Sequence, residues 1–131
     1  MKPSRFTHIT FAVKNMAESL EFYHQWFGLV VHLDRRPQGN TVWITTGDQS
    51  DRETPEFVLV VHEGEISRIH HFGFQMESRA DLDAVAEKAK AAGVLREGPV
   101  DVGGAVGSFL FIEDPNGHMW EFTAGQPLVG L

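Results

Sequence analysis

The segment IHHFGFQM, residues 69–76, sets two histidines side by side at the head of an alternating apolar stretch. Alternation of this kind reads as a half-buried strand, whose neighbouring side chains point to opposite faces. His70, Phe72, Phe74 and Met76 then make an apolar face, and Ile69, His71, Gly73 and Gln75 the other. This reading assigns His71 to the polar side and His70 to the start of the packed side.

Working outward, the next residues read as a helix. Ser78 is the cap, Leu82, Val85, Ala86 and Ala89 form an apolar stripe, and Gly93 is the stop. The same design occurs upstream. FTHITFAV, 6–13, alternates; NMAESLEFYHQWFG, 15–28, has Asn15 as cap, Met16, Leu20, Tyr23 and Phe27 at helical spacing, and Gly28 as terminator. Shifting the chain by 63 positions lays His8 on His71, Asn15 on Ser78 and Ala17 on Ala80. Each helix is followed by strand-like runs, at 30–33, 41–46 and 57–62 in the first copy and at 94–96, 108–112 and 118–123 in the second. Turn chemistry in PQGN, GDQSDRETP, EGPVDVGGAVG and DPNG separates them.

The repeated unit is therefore strand, helix, three strands (βαβββ), over about 5–62 and 69–124, with 63–68 as connector. Neither copy alone buries both faces of its sheet, so the expectation is one α+β domain over 1–131, its two modules pairing into a curved half-barrel sheet with helices outside. The concave side is the expected ligand site.

Composition narrows the function classes. Eighteen acidic against eleven basic residues give a formal charge of -7, which argues against a nucleic-acid partner. The absence of cysteine excludes disulfides and thiolate metal sites, leaving nitrogen and oxygen ligands. No apolar run approaches membrane-spanning length, so the expectation is a soluble cytoplasmic protein with no membrane partner.

Strand parity then selects three residues. Ile9, Phe11 and Val13 suit a face under the helix, leaving Phe6, His8 and Thr10 opposite; in the last strand His118, Trp120 and Phe122 oppose Met119, Glu121 and Thr123. His8, His71 and Glu121 converge if the repeat closes into one concave sheet. Two imidazoles and a carboxylate suit iron, zinc, nickel, manganese or cobalt as a divalent ion, with positions left open for substrate.

The twofold repeat, the openings THITFAV and HHFGFQM, the helix EFYHQWFGLVV and the ending FLFIEDPNGHMWEF together resemble the vicinal oxygen chelate superfamily of glyoxalases, bleomycin-resistance proteins and extradiol dioxygenases. The resemblance covers nearly the whole chain. It implies a divalent metal at His8, His71 and Glu121 and, for small members, a homodimer, with the site within one chain or shared between two.

Glyoxalase I-like members carry a fourth, carboxylate ligand on the last strand of the first half. Here that strand has cleft parity Glu56, Val58, Val60 and His62, with a valine in the central slot, which weighs against methylglyoxal isomerisation. Extradiol dioxygenases use two histidines and one carboxylate with iron(II), which fits the count, although Phe111 stands where they carry a tyrosine. His62 is then the acid/base candidate, and Thr10, Trp43 and Phe111 are candidates to line the substrate site. Fosfomycin-type thiol transferases match in size and ligands, but PVDVGGAVGS lacks their basic and hydroxyl residues. A metal-free drug-binding module is the non-enzymatic alternative. The leading expectation is a dioxygenase-like iron(II) enzyme acting on vicinal oxygens of a small molecule.

Overall fold

A computed structural model describes residues 8–49, 51, 53, 55–66, 69–104 and 106–125. Phe6, at the head of the first expected strand, and Arg68, in the connector, lie outside them. The chain divides into two compact units, Met1–Arg68 and Ile69–Leu131.

The first unit runs β1 (His8–Val13), α1 (Met16–Phe27), β2 (Leu29–Asp34), a single helical turn α2 (Arg36–Gly39), β3 (Thr41–Thr46) and β4 (Val58–Glu63). Its sheet has the order β1-β4-β3-β2, with β1 and β4 parallel and the other pairs antiparallel. Helix α1 forms where its signals stand: Asn15 Oδ1 accepts from the Glu18 N–H at 2.9 Å, and Gly28 ends the helix in the left-handed region. Glu63, at the end of β4, accepts from the Met16 N–H at 3.2 Å and so ties the last strand to the helix start. Phe11, Val13, Val42, Ile44 and Val61 are buried on one face together with Met16 and Tyr23 of α1; the Phe11 and Tyr23 rings meet edge to face. Each such side chain contributes roughly 1.5–3 kcal/mol of burial free energy.

The second unit repeats the plan as β5 (Phe72–Gln75), α3 (Arg79–Ala92), β6 (Leu95–Gly103), β7 (Gly107–Glu113) and β8 (Met119–Ala124), with sheet order β5-β8-β7-β6. Ser78 and Asp81 form a reciprocal capping box, Gly93 terminates α3, and Leu82, Ala86 and Ala89 are buried, as the stripe predicts. Trp120 is fully buried, stacked on Phe72 at 4.6 Å and on Phe74 at 5.9 Å between ring centroids.

The architecture is the α+β pair of βαβββ modules expected, each sheet open. Among the described residues no helix is long and apolar enough to cross a membrane.

Three local differences from the sequence reading have physical causes. Strand β6 continues through Gly103, where Gly and Pro suggest a turn, because register shifts against β7 absorb those residues as irregularities. Gly98 is required there, since a Cβ would stand 2.6 Å from the Phe109 carbonyl oxygen. PQGN is partly helical, with Asn40 left-handed at its end. The third concerns the two histidines: β5 starts only at Phe72, so alternation does not extend to them, and His70 is exposed instead of packed.

Candidate metal centre and substrate cavity

In the second unit a turn builds the site's foundation. Asp114 is buried, and its carboxylate accepts three hydrogen bonds at 2.9 Å, from the backbone N–H groups of Asn116 and His118 and from Trp120 Nε1. A buried carboxylate is tolerated only when supplied with donors in this way, and the arrangement fixes the chain entering β8. Trp120 then points into the core and Glu121, one residue on, to the opposite face.

There Glu121 meets His71, with Nε2 to Oε2 at 3.3 Å and the Glu121 side chain only 16% exposed. Gly73 pairs with Glu121 across β5 and β8, and a Cβ there would be in van der Waals contact with Oε2, at 3.5 Å. Phe111 flanks Glu121 on β7, its ring set edge to face on His71 at 5.3 Å. The His70 and His71 rings also touch through their Nδ1 atoms, so the two do not take opposite faces.

The 3.3 Å spacing tests a metal directly. A charge-assisted hydrogen bond closes to about 2.7–2.9 Å. Two ligands about 2.1 Å from one cation, at angles of 90–109°, stand roughly 3.0–3.4 Å apart. The imidazole and carboxylate thus fit as two donors to a single divalent ion. Among the described residues no cluster of three such side chains occurs; His8 belongs to the other unit.

In the first unit the sheet face away from α1 carries a cavity of about 520 Å³, within the range of small-molecule sites. His8 and Thr10 of β1, Val58 and Val60 of β4, and Thr41 and Trp43 of β3 line it, the face that parity selects. His32, Arg35, Gly39, Glu53 and Pro55 complete the wall. Of the residues expected at the site, His8, Thr10 and Trp43 share this cavity, while His71, Glu121 and Phe111 meet in the second unit. His62 is half-buried, pairs with Ala12 and Thr41, and does not line the cavity. Arg35 and Glu53 are the lining residues that strand parity misses, because both lie between strands.

Register identifies the equivalent positions of the two units. Thr10 pairs with Val60, and Val60 with Trp43; Gly73 pairs with Glu121, and Glu121 with Phe111. His8 and His71 each precede the first member of these rows by two residues. The counterpart of Glu121 is therefore Val60, which decides between Val58 and Val60 for the central slot.

The model of the Glyoxalase/Bleomycin resistance protein/Dioxygenase superfamily matches residues 5–122. The chain is 35% identical to an uncharacterized protein of Pseudomonas aeruginosa, over 98% of this chain and 93% of that one. It is 26% identical to the lactoylglutathione lyase of Arabidopsis thaliana over 94% of its length, and spans only 45% of the plant protein. Among solved structures, an E-to-Q mutant of the fosfomycin resistance protein FosX from Listeria monocytogenes, complexed with Mn(II) and 1S,2S-dihydroxypropylphosphonic acid, superposes with a TM-score of 0.74 at 20% identity, covering 96% of this chain and 95% of that one.

Proposed function

The chain belongs to the Glyoxalase/Bleomycin resistance protein/Dioxygenase superfamily, and on that premise we propose that it is a divalent-metal-dependent enzyme acting on vicinal oxygens of a small substrate, by dioxygenase-like chemistry. The observation that carries the reading is the 3.3 Å spacing of His71 Nε2 and Glu121 Oε2 on one sheet face. His8, the repeat equivalent of His71, supplies the third donor. Iron(II) is the ion that best suits this ligand set; zinc, nickel, manganese and cobalt are the alternatives. Bound there, it would polarise two neighbouring oxygens of the substrate.

The chain's own residues do the rest. His8, His71 and Glu121 hold the ion through two neutral imidazoles and one anion. Trp43 and Phe111, equivalent across the repeat, flank the central positions and exclude water from the reacting oxygens. The Thr10 hydroxyl offers a hydrogen bond to substrate. His62 lies one strand step of about 7 Å beyond Val60 and serves as the acid/base group when substrate reaches toward it.

The glyoxalase-like alternative draws on the plant relative, but Val60 stands where a fourth carboxylate would be needed. The fosfomycin-type thiol transferase remains the other alternative; the structural neighbour FosX, complexed with Mn(II), supports manganese as its ion and not the transfer itself.

The test is metal analysis of protein purified without added metal, beside His71→Ala. One equivalent of iron in the parent and loss of at least about 90% of it in the variant are expected, since removing a ligand weakens a site by more than the 10–100-fold typical of its outer partners. Zinc or nickel would move the reading to the lyase, and manganese to the transferase. No stoichiometric metal in either protein would overturn it.

A further inference from the structure

The described arginines differ in what their guanidinium groups meet. Arg36 is clamped on both carboxylate oxygens of Asp34. Arg79 binds Asp83 and Asp101, and Arg96 binds Glu113. Arg35, next to Arg36, has no carboxylate partner among the described residues. It lines the cavity instead, with its Cζ 6.0 Å from the centroid of the Trp43 ring.

That placement is held by the backbone. The Arg35 N–H donates to the Thr41 carbonyl at 2.8 Å, and its carbonyl accepts from Gln38 and Gly39. A planar, permanently charged fork on the wall of a cavity, beside an indole ring, suits a planar anion.

We propose that Arg35, beside Trp43 in the first-unit cavity, binds the carboxylate of the substrate. Glu53 lines the same cavity and offsets the charge of Arg35, so recognition rests on the bidentate match of guanidinium and carboxylate more than on bulk attraction. Dimensions select a compact molecule. His8 pairs with Val58 and Trp43 with Val60, which places the β1 and β3 positions about 12 Å apart from strand spacing and rise. With side chains reaching inward from both, the space between suits one ring or a chain of a few carbons, lying on Val58 and Val60. Only the orientation, with vicinal oxygens toward His8, rests on the metal reading above.

The test is calorimetric binding of three probes, catechol, 3,4-dihydroxybenzoate and 3,4-dihydroxyphenylphosphonate, to the parent protein and to Arg35→Gln, Arg35→Lys and His71→Ala. Dihydroxybenzoate is expected to bind the parent at least about tenfold more tightly than catechol, as a charge-assisted bidentate contact implies; a phosphonate bound more tightly than dihydroxybenzoate would overturn the assignment to a carboxylate. Arg35→Gln should erase the preference and leave catechol unchanged; Arg35→Lys, which keeps the charge but not the fork, should recover only part of it. Equal binding of catechol and dihydroxybenzoate by the parent, or an undiminished preference in both Arg35 variants, would overturn the proposal. The metal reading fails separately: the carboxylate preference then persists while His71→Ala alters no affinity.

Discussion

Across the first sheet the row at the centre of the site face reads Thr10, Val60, Trp43; across the second it reads Gly73, Glu121, Phe111. The flanking aromatic is kept, as is the histidine two residues before each row, but the centre is apolar in one unit and a carboxylate in the other. The approach to the central strand differs too. Ten residues separate the end of β3 from Phe57, just before β4, whereas β8 follows a four-residue turn locked by the buried Asp114. The lesson is that a duplicated backbone supplies positions, and a ligand also needs a rigid approach. Asp114 supplies the rigid approach for Glu121, and in the first unit the equivalent slot is left to a hydrophobic wall.

If the turn carries this difference, the largest effect follows from Trp120→Ala. Trp120 and Tyr23 are the largest fully buried side chains of their units, and truncating either should cost about 3–5 kcal/mol. Trp120→Ala should lie at the top of that span, because it also deprives the buried Asp114 carboxylate of its indole donor. Urea unfolding of both variants checks it; equal losses would show that the turn adds nothing to the core of the second unit.

A smaller effect sharpens the comparison at the central slot itself. Val60→Glu installs in the first unit the carboxylate that the second already has. Within the proposed site it should raise zinc affinity by about tenfold, a fourth donor, and a second anionic one, being added to three, and abolish oxygen consumption by filling an open position. Competition against a chromophoric chelator reads the first and an oxygen electrode the second. Unchanged zinc affinity would mean that position 60 and the ion do not meet.

Much of this was legible in the sequence because duplication repeats its punctuation. Asn15 and Gly28 bracket one helix, Ser78 and Gly93 the other, and parity placed Phe11, Val13, Trp120 and Phe122 in the core. Parity also put His8, Thr10 and Trp43 on the cavity face, and Glu121 on the face opposite Trp120. It failed where backbone was not regular strand. His70 lies ahead of β5, so alternation said nothing valid about it. Gly98 and Pro99 break register without ending β6, which a reading of Gly and Pro as punctuation cannot distinguish from a turn. Arg35 carries no strand-parity signal, since it lies between β2 and β3, and its place on the cavity wall is a three-dimensional fact.

The smallest predicted effect concerns the exposed clamps that each unit places beside its sheet. In the first, Arg36 holds the Asp34 carboxyl below the usual carboxylate range through their hydrogen bonds. In the second, hydrogen bonds from Arg79 and then from Ser108 lower Asp101 to about 2, joining the start of α3 to the β6–β7 hairpin. A depressed folded-state pKa means that the unfolded chain binds the proton first as pH falls. The stabilisation from Asp101 is therefore complete above its unfolded value of 3.8 and disappears as pH drops through about 2. Both partners are solvated, so the contribution is small and screened by salt. Acid titrations of the parent and Asp101→Asn should accordingly show a slight deficit for the variant at pH 5, convergence at about pH 2, and a deficit that shrinks in 0.5 M NaCl. A deficit that persisted below pH 2 or resisted salt would mean that the Asp101 side chain supports the hairpin by its shape and neutral hydrogen bonds. The clamp of the second unit would then differ in kind from a surface ion pair such as that of Asp34 and Arg36.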